Sequence, residues 1–342
     1  MAGGRGLINA LRPLPRADFA MPVEVIGTRV ITQTALVFPV LNFANTSPHR
    51  YRARMPDEVF TLGHSPDPDD AFMFYAMAEN KIDLRGYRFE HRLEDIQTLN
   101  ERALRGELHI SAISIHAFAY VSDRYALLPC GASMGDGYGP LVVATNPDGL
   151  AAGASDREIR AWLGNRTIAI PGRMTSAYLA LQIYLGEFAH IVVPFDQIFD
   201  TVKSGRAAAG LIIHEGQLTY ERSGFSKVID LGEWWKRETT LPLPLGGNVL
   251  RKDIAPATQR DLLEIMRESI DYGLAHRDEA VRHSMPYARD MDAKLAGKFI
   301  GMYVNDYTRD YGENGRAAIR RFLSDAAAAG YINREPKIEF VE

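Results

Sequence analysis

Strand-like and helix-like segments alternate along most of this chain, and that alternation leaves few folds open to it. Val59–Gly63, Arg88–Leu93, Leu108–Ile115 and Pro140–Thr145 read as strands, with helices at Asp69–Glu79 and Asp95–Arg105 among them. A second set follows: strands Thr167–Ile170, His190–Val193 and Ala208–Ile213, and helices Thr175–Glu187 and Phe195–Ser204. Strands interleaved with helices of about 10–13 residues predict βαβ units and mainly parallel sheets. After Gly246-Gly247 the pattern turns helical, over Ala257–His276, a region from about Asp278 to Tyr311, and Gly315–Ala329.

The two sets echo one another. Ala103-Leu-Arg-Gly106 leads through an apolar strand to Ser114-Ile-His116, and Val202-Lys-Ser-Gly205 leads through another to Ile212-Ile-His214. Each is a helix closed by a glycine, then a strand delivering a histidine at its carboxyl end. Parallel α/β sheets bind ligands just beyond that end. The expected fold is therefore α/β and two-lobed, with the ligand in the cleft between lobes. The expected division is 55–145 plus 246–342 for lobe one and 146–245 for lobe two. At 342 residues the chain is long enough to split into two cores.

Composition narrows the function classes. A net charge of −4 provides no basic field for nucleic acid. Cys130 is the only cysteine, so neither an internal disulfide nor a CxxC metal spacing exists. No cysteine-bound metal is expected. The longest apolar stretch, Val30–Ala44, is broken by Gln33, Pro39 and Asn42 and is too short to span a membrane. Residues 1–54 carry seven arginines against Asp18 and Glu24 and show no sustained period. They are expected to be a poorly ordered extension, with Met55 as a possible functional start; a transit peptide is the alternative.

Four segments could carry chemistry. In His64-Ser-Pro-Asp-Pro-Asp-Asp70, Asp67 suits an N-cap, Pro68 the first helical position and Asp70 a capping box. At the cleft edge Ser65 could also bond a ligand, and three carboxylates there suit hydroxyl groups better than an anion. In Ile170-Pro-Gly-Arg-Met-Thr-Ser-Ala177, Thr175 or Ser176 opens a helix whose free N–H groups suit a carboxylate; a plain helix cap is the other reading. Gly135-Asp-Gly-Tyr-Gly-Pro140 allows close backbone approach at Gly137, Tyr138 and Gly139, or simply links the lobes. It matches neither GxGxxG nor GxxxxGK[ST]. His214 leaves a buried strand, where an imidazole of reference pKa about 6.5 can act as a general base; a structural histidine is the alternative. Leu218 stands where HExxH would need its second histidine. Trp234 and Trp235 are expected to be packing residues.

Taken in order, these segments resemble the futalosine-pathway menaquinone-biosynthesis family, most closely its 1,4-dihydroxy-6-naphthoate synthase branch. The matching pieces are Ser65-Pro-Asp-Pro-Asp-Asp-Ala-Phe72, Ser114-Ile-His-Ala117, Asp123-Arg-Tyr-Ala-Leu127, Gly137-Tyr-Gly-Pro140, Ile170-Pro-Gly172 with Thr175-Ser176, Gly210-Leu-Ile-Ile-His-Glu215, Leu231-Gly-Glu-Trp-Trp235 and Pro242-Leu-Pro-Leu-Gly-Gly247. The resemblance implies a fold like the type II periplasmic binding proteins. It implies a lyase that cleaves cyclic dehypoxanthine futalosine into 1,4-dihydroxy-6-naphthoate and a dihydroxyacetone fragment without a cofactor. His214 would be the base, and Ser114, Thr175 and Ser176 would hold polar groups of the substrate.

The chain departs from the family's usual Ser-Pro-Cys-Pro-Asn-Asp-Thr-Phe, with Asp67 for Cys, Asp69 for Asn and Ala71 for Thr. Two added carboxyls at the cleft edge could alter ligand preference. The competing expectation is a non-catalytic solute-binding protein of the same fold for a small anionic ligand. Such a protein needs export or a lipid anchor, and no convincing signal or lipobox-like cysteine stands near the N-terminus. The enzyme reading, with a small-molecule substrate and a cytoplasmic location, is therefore preferred.

Overall fold

The computed structural model describes residues 58–342 apart from Ala152 and Asp290. The expectations for residues 1–54 and for Met55 lie outside the described residues. Eleven strands are described: β1 Val59–His64, β2 Arg88–Leu93, β3 Ile110–Ser114, β4 Tyr125–Leu127, β5 Ser133–Gly135, β6 Leu141–Ala144, β7 Ile168–Ile170, β8 His190–Val192, β9 Ala209–Ile212, β10 Ser226–Asp230 and β11 Leu243–Arg251.

They form two sheets of matching design. The first runs β2-β1-β3-β11-β4, with β5 also on β11; the second, read from its other edge, runs β8-β7-β9-β6-β10. In each, three parallel strands come from consecutive βα units, and an antiparallel strand joins the third. The repeated glycine-strand-histidine pattern is the trace of this repeated topology. Gly106 and Gly205 close the preceding helices at φ 74° and 75°, the left-handed geometry glycine adopts at least cost. This is a two-lobed α/β fold of the type II periplasmic-binding-protein kind.

Several expectations need correction. The sheets are mixed rather than mainly parallel, because β6 and β11 cross between lobes and return antiparallel to their neighbours. Moreover, β6 hydrogen-bonds within the second sheet, whereas the expected division places it with residues 55–145 in lobe one. Gly246 and Gly247 lie inside β11, and the expected turn to helix follows that strand, beginning at Pro256. The expected helix over Asp69–Glu79 is broken at Phe74 into Pro68–Met73 and Tyr75–Ala78, where the Phe74 ring packs 4.6 Å from His64.

The lobes join through two closely packed segments. One leads from β5 to β6; the other runs from the helix Leu231–Thr239 into β11. Leu231 N donates to Pro140 O at 3.0 Å. A Cβ on Gly232 would stand 1.9 Å from the Tyr138 carbonyl oxygen, and one on Gly139 would stand 3.0 Å from Gly232 N. Two backbones can touch here only because neither residue has a side chain. Trp234 and Trp235 anchor the second segment in the core: Trp235 Nε1 donates to Pro242 O at 3.0 Å, and its ring lies edge-on to Phe322. Among the described residues, no helix is long and apolar enough to cross a membrane. Gly232→Ala should destabilise the fold by about 2–3 kcal/mol, the cost of overpacking against immovable backbone. A urea midpoint unchanged from wild type would contradict this close contact.

Candidate active site

The carboxyl ends of β1 and β3 in one lobe and of β7 and β9 in the other meet at a cavity of about 800 Å³, counted out to its mouth.

The loop after β1 forms one wall. Asp67 is the extended N-cap of Pro68–Met73, yet its side chain makes no cap bond. Its Oδ2 accepts from the Ser65 hydroxyl at 2.9 Å, and Asp70 Oδ2 accepts from Ser65 N at 2.6 Å. The expected capping box is thus displaced: Asp70 reaches back to Ser65 rather than to Asp67. Ser65, Asp67, Asp69 and Asp70 all line the cavity. Burial pushes Asp67 up to about 6, helped by Glu215 and Asp70. Burial also pushes Asp70 up to about 6, against the hydrogen bonds from Ser65. Asp69 is raised well above the ordinary carboxylic range, first by burial and then by Asp70 and Asp67. All three carboxyls of this wall therefore hold their protons to higher pH than exposed carboxyls would.

At the end of β3, Ser114 is held by Asn100. Asn100 Oδ1 accepts from Ser114 N at 2.8 Å, and Asn100 Nδ2 donates to Ser114 Oγ at 3.0 Å and to Met174 O at 3.4 Å. Gln97, one turn earlier on the same helix, accepts from Met174 N at 3.1 Å. One helix of the first lobe thus grips the loop after β7 in the second.

That loop opens the helix Ser176–Leu185. Thr175 is its cap: its Oγ1 accepts from Tyr178 N at 3.2 Å and donates to Gly172 O at 2.9 Å. The Ser176 hydroxyl donates to Leu245 O at 2.5 Å and accepts from His116 N at 3.2 Å. Both hydroxyls are engaged by the protein itself. Among the described residues, the amides of Ser176 and Ala177 have no acceptor, and both residues line the cavity. Free N–H groups at the positive end of a helix suit an anion.

His214 sits at the edge of this space and outside its lining, although Ile213 and Gln217 on either side belong to the lining. Its ring packs edge-on to Phe195 and Phe199, with centroids at 5.3 and 6.2 Å. Nδ1 accepts from Gly216 N at 3.0 Å and lies 3.6 Å from Glu215 Oε2. Gly137, Tyr138 and Gly139 also lie outside the lining; Pro140, next in sequence, is part of it. Gly139 serves the backbone contact with Gly232, Gly137 takes a left-handed φ of 80°, and the Tyr138 hydroxyl donates to Met302 O.

The residues matched so far are spread across both lobes, so the whole chain is the unit of comparison. The family model for menaquinone biosynthesis matches residues 60–328. The chain is 39% identical over 284 residues to a 1,4-dihydroxy-6-naphtoate synthase of Thermus thermophilus, covering 83% of this chain and all of that protein. It is 36% identical to a 1,4-dihydroxy-6-naphtoate synthase of Streptomyces coelicolor, covering 81% and 96%. This chain belongs to the menaquinone-biosynthesis family. Among solved structures, a protein from Archaeoglobus fulgidus aligns at TM-score 0.74 and 42% identity, covering 80% of this chain and 98% of that one. The ligand-binding component of an ABC-type import system from Staphylococcus aureus aligns at 0.61 with 13% identity, covering 84% and 97%. At that identity the likeness is one of fold alone.

Several lining residues of this family member escaped sequence reasoning. Gln217, Tyr303 and Asn248 are buried polar groups facing the cavity. The Tyr303 hydroxyl donates to Gln217 Oε1 at 2.5 Å, from the helix Ala293–Tyr303 to the short helix after β9. Asn100 alone left a signal, an amide on the buried side of an amphipathic helix beside Leu99 and Ala103. Among the described residues, no cluster of three His, Cys, Asp or Glu side chains is placed to hold a metal ion.

The acidic wall has a pH signature. Asp67 and Asp70 hold protons in the folded state up to about pH 6, but the unfolded chain releases them near pH ~3.9. Between those values the native state binds more protons. Their stabilising contribution is therefore complete below the unfolded pKa and lost as pH rises through about 6. The urea midpoint should fall over that window, and Asp70→Asn should make the fall shallower.

Proposed function

We propose that this chain is a carbon–carbon lyase of menaquinone biosynthesis that converts cyclic dehypoxanthine futalosine into 1,4-dihydroxy-6-naphthoate and dihydroxyacetone. The observation that carries the reading is the end-to-end match to two synthases together with a cavity between the lobes polar at both ends. A naphthoate precursor has a carboxylate at one end and sugar hydroxyls at the other. The amides of Ser176 and Ala177 suit the carboxylate. The wall of Ser65, Asp67, Asp69 and Asp70 suits the hydroxyls, and apolar Met73, Ile96 and Phe299 line the space with them.

His214 is the general base in this proposal. It removes a proton from the sugar-derived part, the carbon–carbon bond breaks, and the remaining ring aromatises. Support comes from its exit at the carboxyl end of β9 between two lining residues and from its partial burial. Cavity closure excludes water from the reacting carbon. Ser114, fixed by Asn100, orients a polar group of the substrate. A cytoplasmic location belongs to the same proposal. The solute-binding alternative loses ground because the import-system protein shares only the fold.

His214→Ala should leave the thermal midpoint within a few degrees of wild type and lower turnover by at least about a hundredfold, followed as growth of the naphthoate chromophore. Wild-type protein that binds the compound and leaves it intact would sink the lyase assignment. Equal activity in the variant would remove only the role given to His214.

A further inference from the structure

Arg289 lies at the mouth of the cleft and touches both lobes. Its Nη1 is 3.5 Å from Asp67 Oδ1 and 3.6 Å from Glu215 Oε1, and its Nη2 is 3.5 Å from Pro66 O. The guanidinium also lies over the Phe195 ring, 4.9 Å from its centroid. Asp67 follows β1 of the first sheet, whereas Phe195 and Glu215 follow β8 and β9 of the second. Glu215 is buried, and its Oε2 has no hydrogen-bond partner. The nearest group able to complete it is His214 Nδ1, at 3.6 Å.

We propose that Asp67, Arg289 and Glu215 form a charge bridge between the lobes, and that Glu215, held by this bridge, is the positioning residue for His214. The inference rests on the general-base role assigned to His214 above.

The argument turns on the imidazole's tautomer. In the present geometry Nδ1 accepts from Gly216 N, which leaves the proton on Nε2. A base acting through Nε2 needs the other tautomer, with the proton on Nδ1 and an acceptor for it. Glu215 Oε2 is the only carboxylate oxygen in reach among the described residues, and closing a gap of 3.6 Å needs a shift below about 1 Å. Burial alone would raise the Glu215 carboxyl, but His214 and Arg289 outweigh it and hold the group below its ordinary range. An ionised Glu215 accepts the Nδ1 proton and stabilises the imidazolium that forms when Nε2 takes a proton from substrate. Arg289 meets Asp67 from one lobe and Glu215 from the other, so the acceptor for the Nδ1 proton is tied to the contact between lobes.

The test compares wild type, His214→Asn, Glu215→Gln, Arg289→Gln and Arg289→Lys, each with its thermal midpoint. Two readouts are taken. One is kcat and KM for cyclic dehypoxanthine futalosine; the other is ring-nitrogen NMR of protein labelled with ¹⁵N-histidine, the His214 signals being assigned by their loss in His214→Asn. Glu215→Gln and Arg289→Gln should each lower kcat by about tenfold or more with KM changed less. They should also raise the share of His214 protonated at Nε2, and Arg289→Lys should recover part of both effects. Unchanged kcat in Glu215→Gln and Arg289→Gln, with His214→Asn inactive, overturns the inference and leaves the lyase reading intact. If wild type turns nothing over, the lyase reading has failed, and the NMR populations alone decide: a His214 tautomer indifferent to Glu215 and Arg289 rules the bridge out.

Discussion

Asn100 is fully buried, and its single amide is shared between the two lobes. Its oxygen and nitrogen hold Ser114, and the same nitrogen reaches Met174 across the cleft. A buried amide without partners costs a few kcal/mol, about 1–3 by mutational measures. Only the closed arrangement satisfies Asn100 on both sides, and only that arrangement sets Ser114 opposite the helix that starts at Ser176. Gln97, and the pair Ser176 and Leu245, repeat the device. Ligand-binding geometry and lobe contact are therefore one set of hydrogen bonds.

Within that frame the cavity is electrically polarised. One wall has three carboxyl groups, all raised by burial, and Asp69 further by Asp70 and Asp67. The other has the open amides of a helix ten residues long. Asp67 and Asp69 stand where the family usually has Cys and Asn. The Asp67 carboxylate meets Arg289.

Repetition made the fold legible. Two glycine-closed helices, each followed by an apolar strand and a histidine, marked two equivalent βα sets, and both sheets have the same order. Short or polar elements were missed for physical reasons. β4 and β5 have three residues each, too few to show a period, and β10 begins with exposed Ser226 and Lys227. β11 contains Pro244, Gly246 and Gly247, the residues that ordinarily argue against a strand. It tolerates them through a register shift against β5 at Pro244 and a tight fit of Gly247 against the Tyr311 hydroxyl. The mainly parallel expectation failed because only contacts remote in sequence reveal that β6 and β11 return antiparallel.

What the amino-acid sequence settled by itself was local: the periods of strands and helices, the glycines that end helices, and the segments by which the family is known. Those features depend on neighbours a few residues away, and sequence order carries them. Tertiary structure alone decided which polar groups share the cavity. It engaged the hydroxyls of Ser65, Thr175 and Ser176 within the protein, left the amides of Ser176 and Ala177 open, and brought Tyr303 to Gln217 and Arg289 to Glu215 across distances of 86 and 74 positions. Hydrogen bonding and charge pairing act over a few ångströms, and only the closed chain fixes which groups come that near.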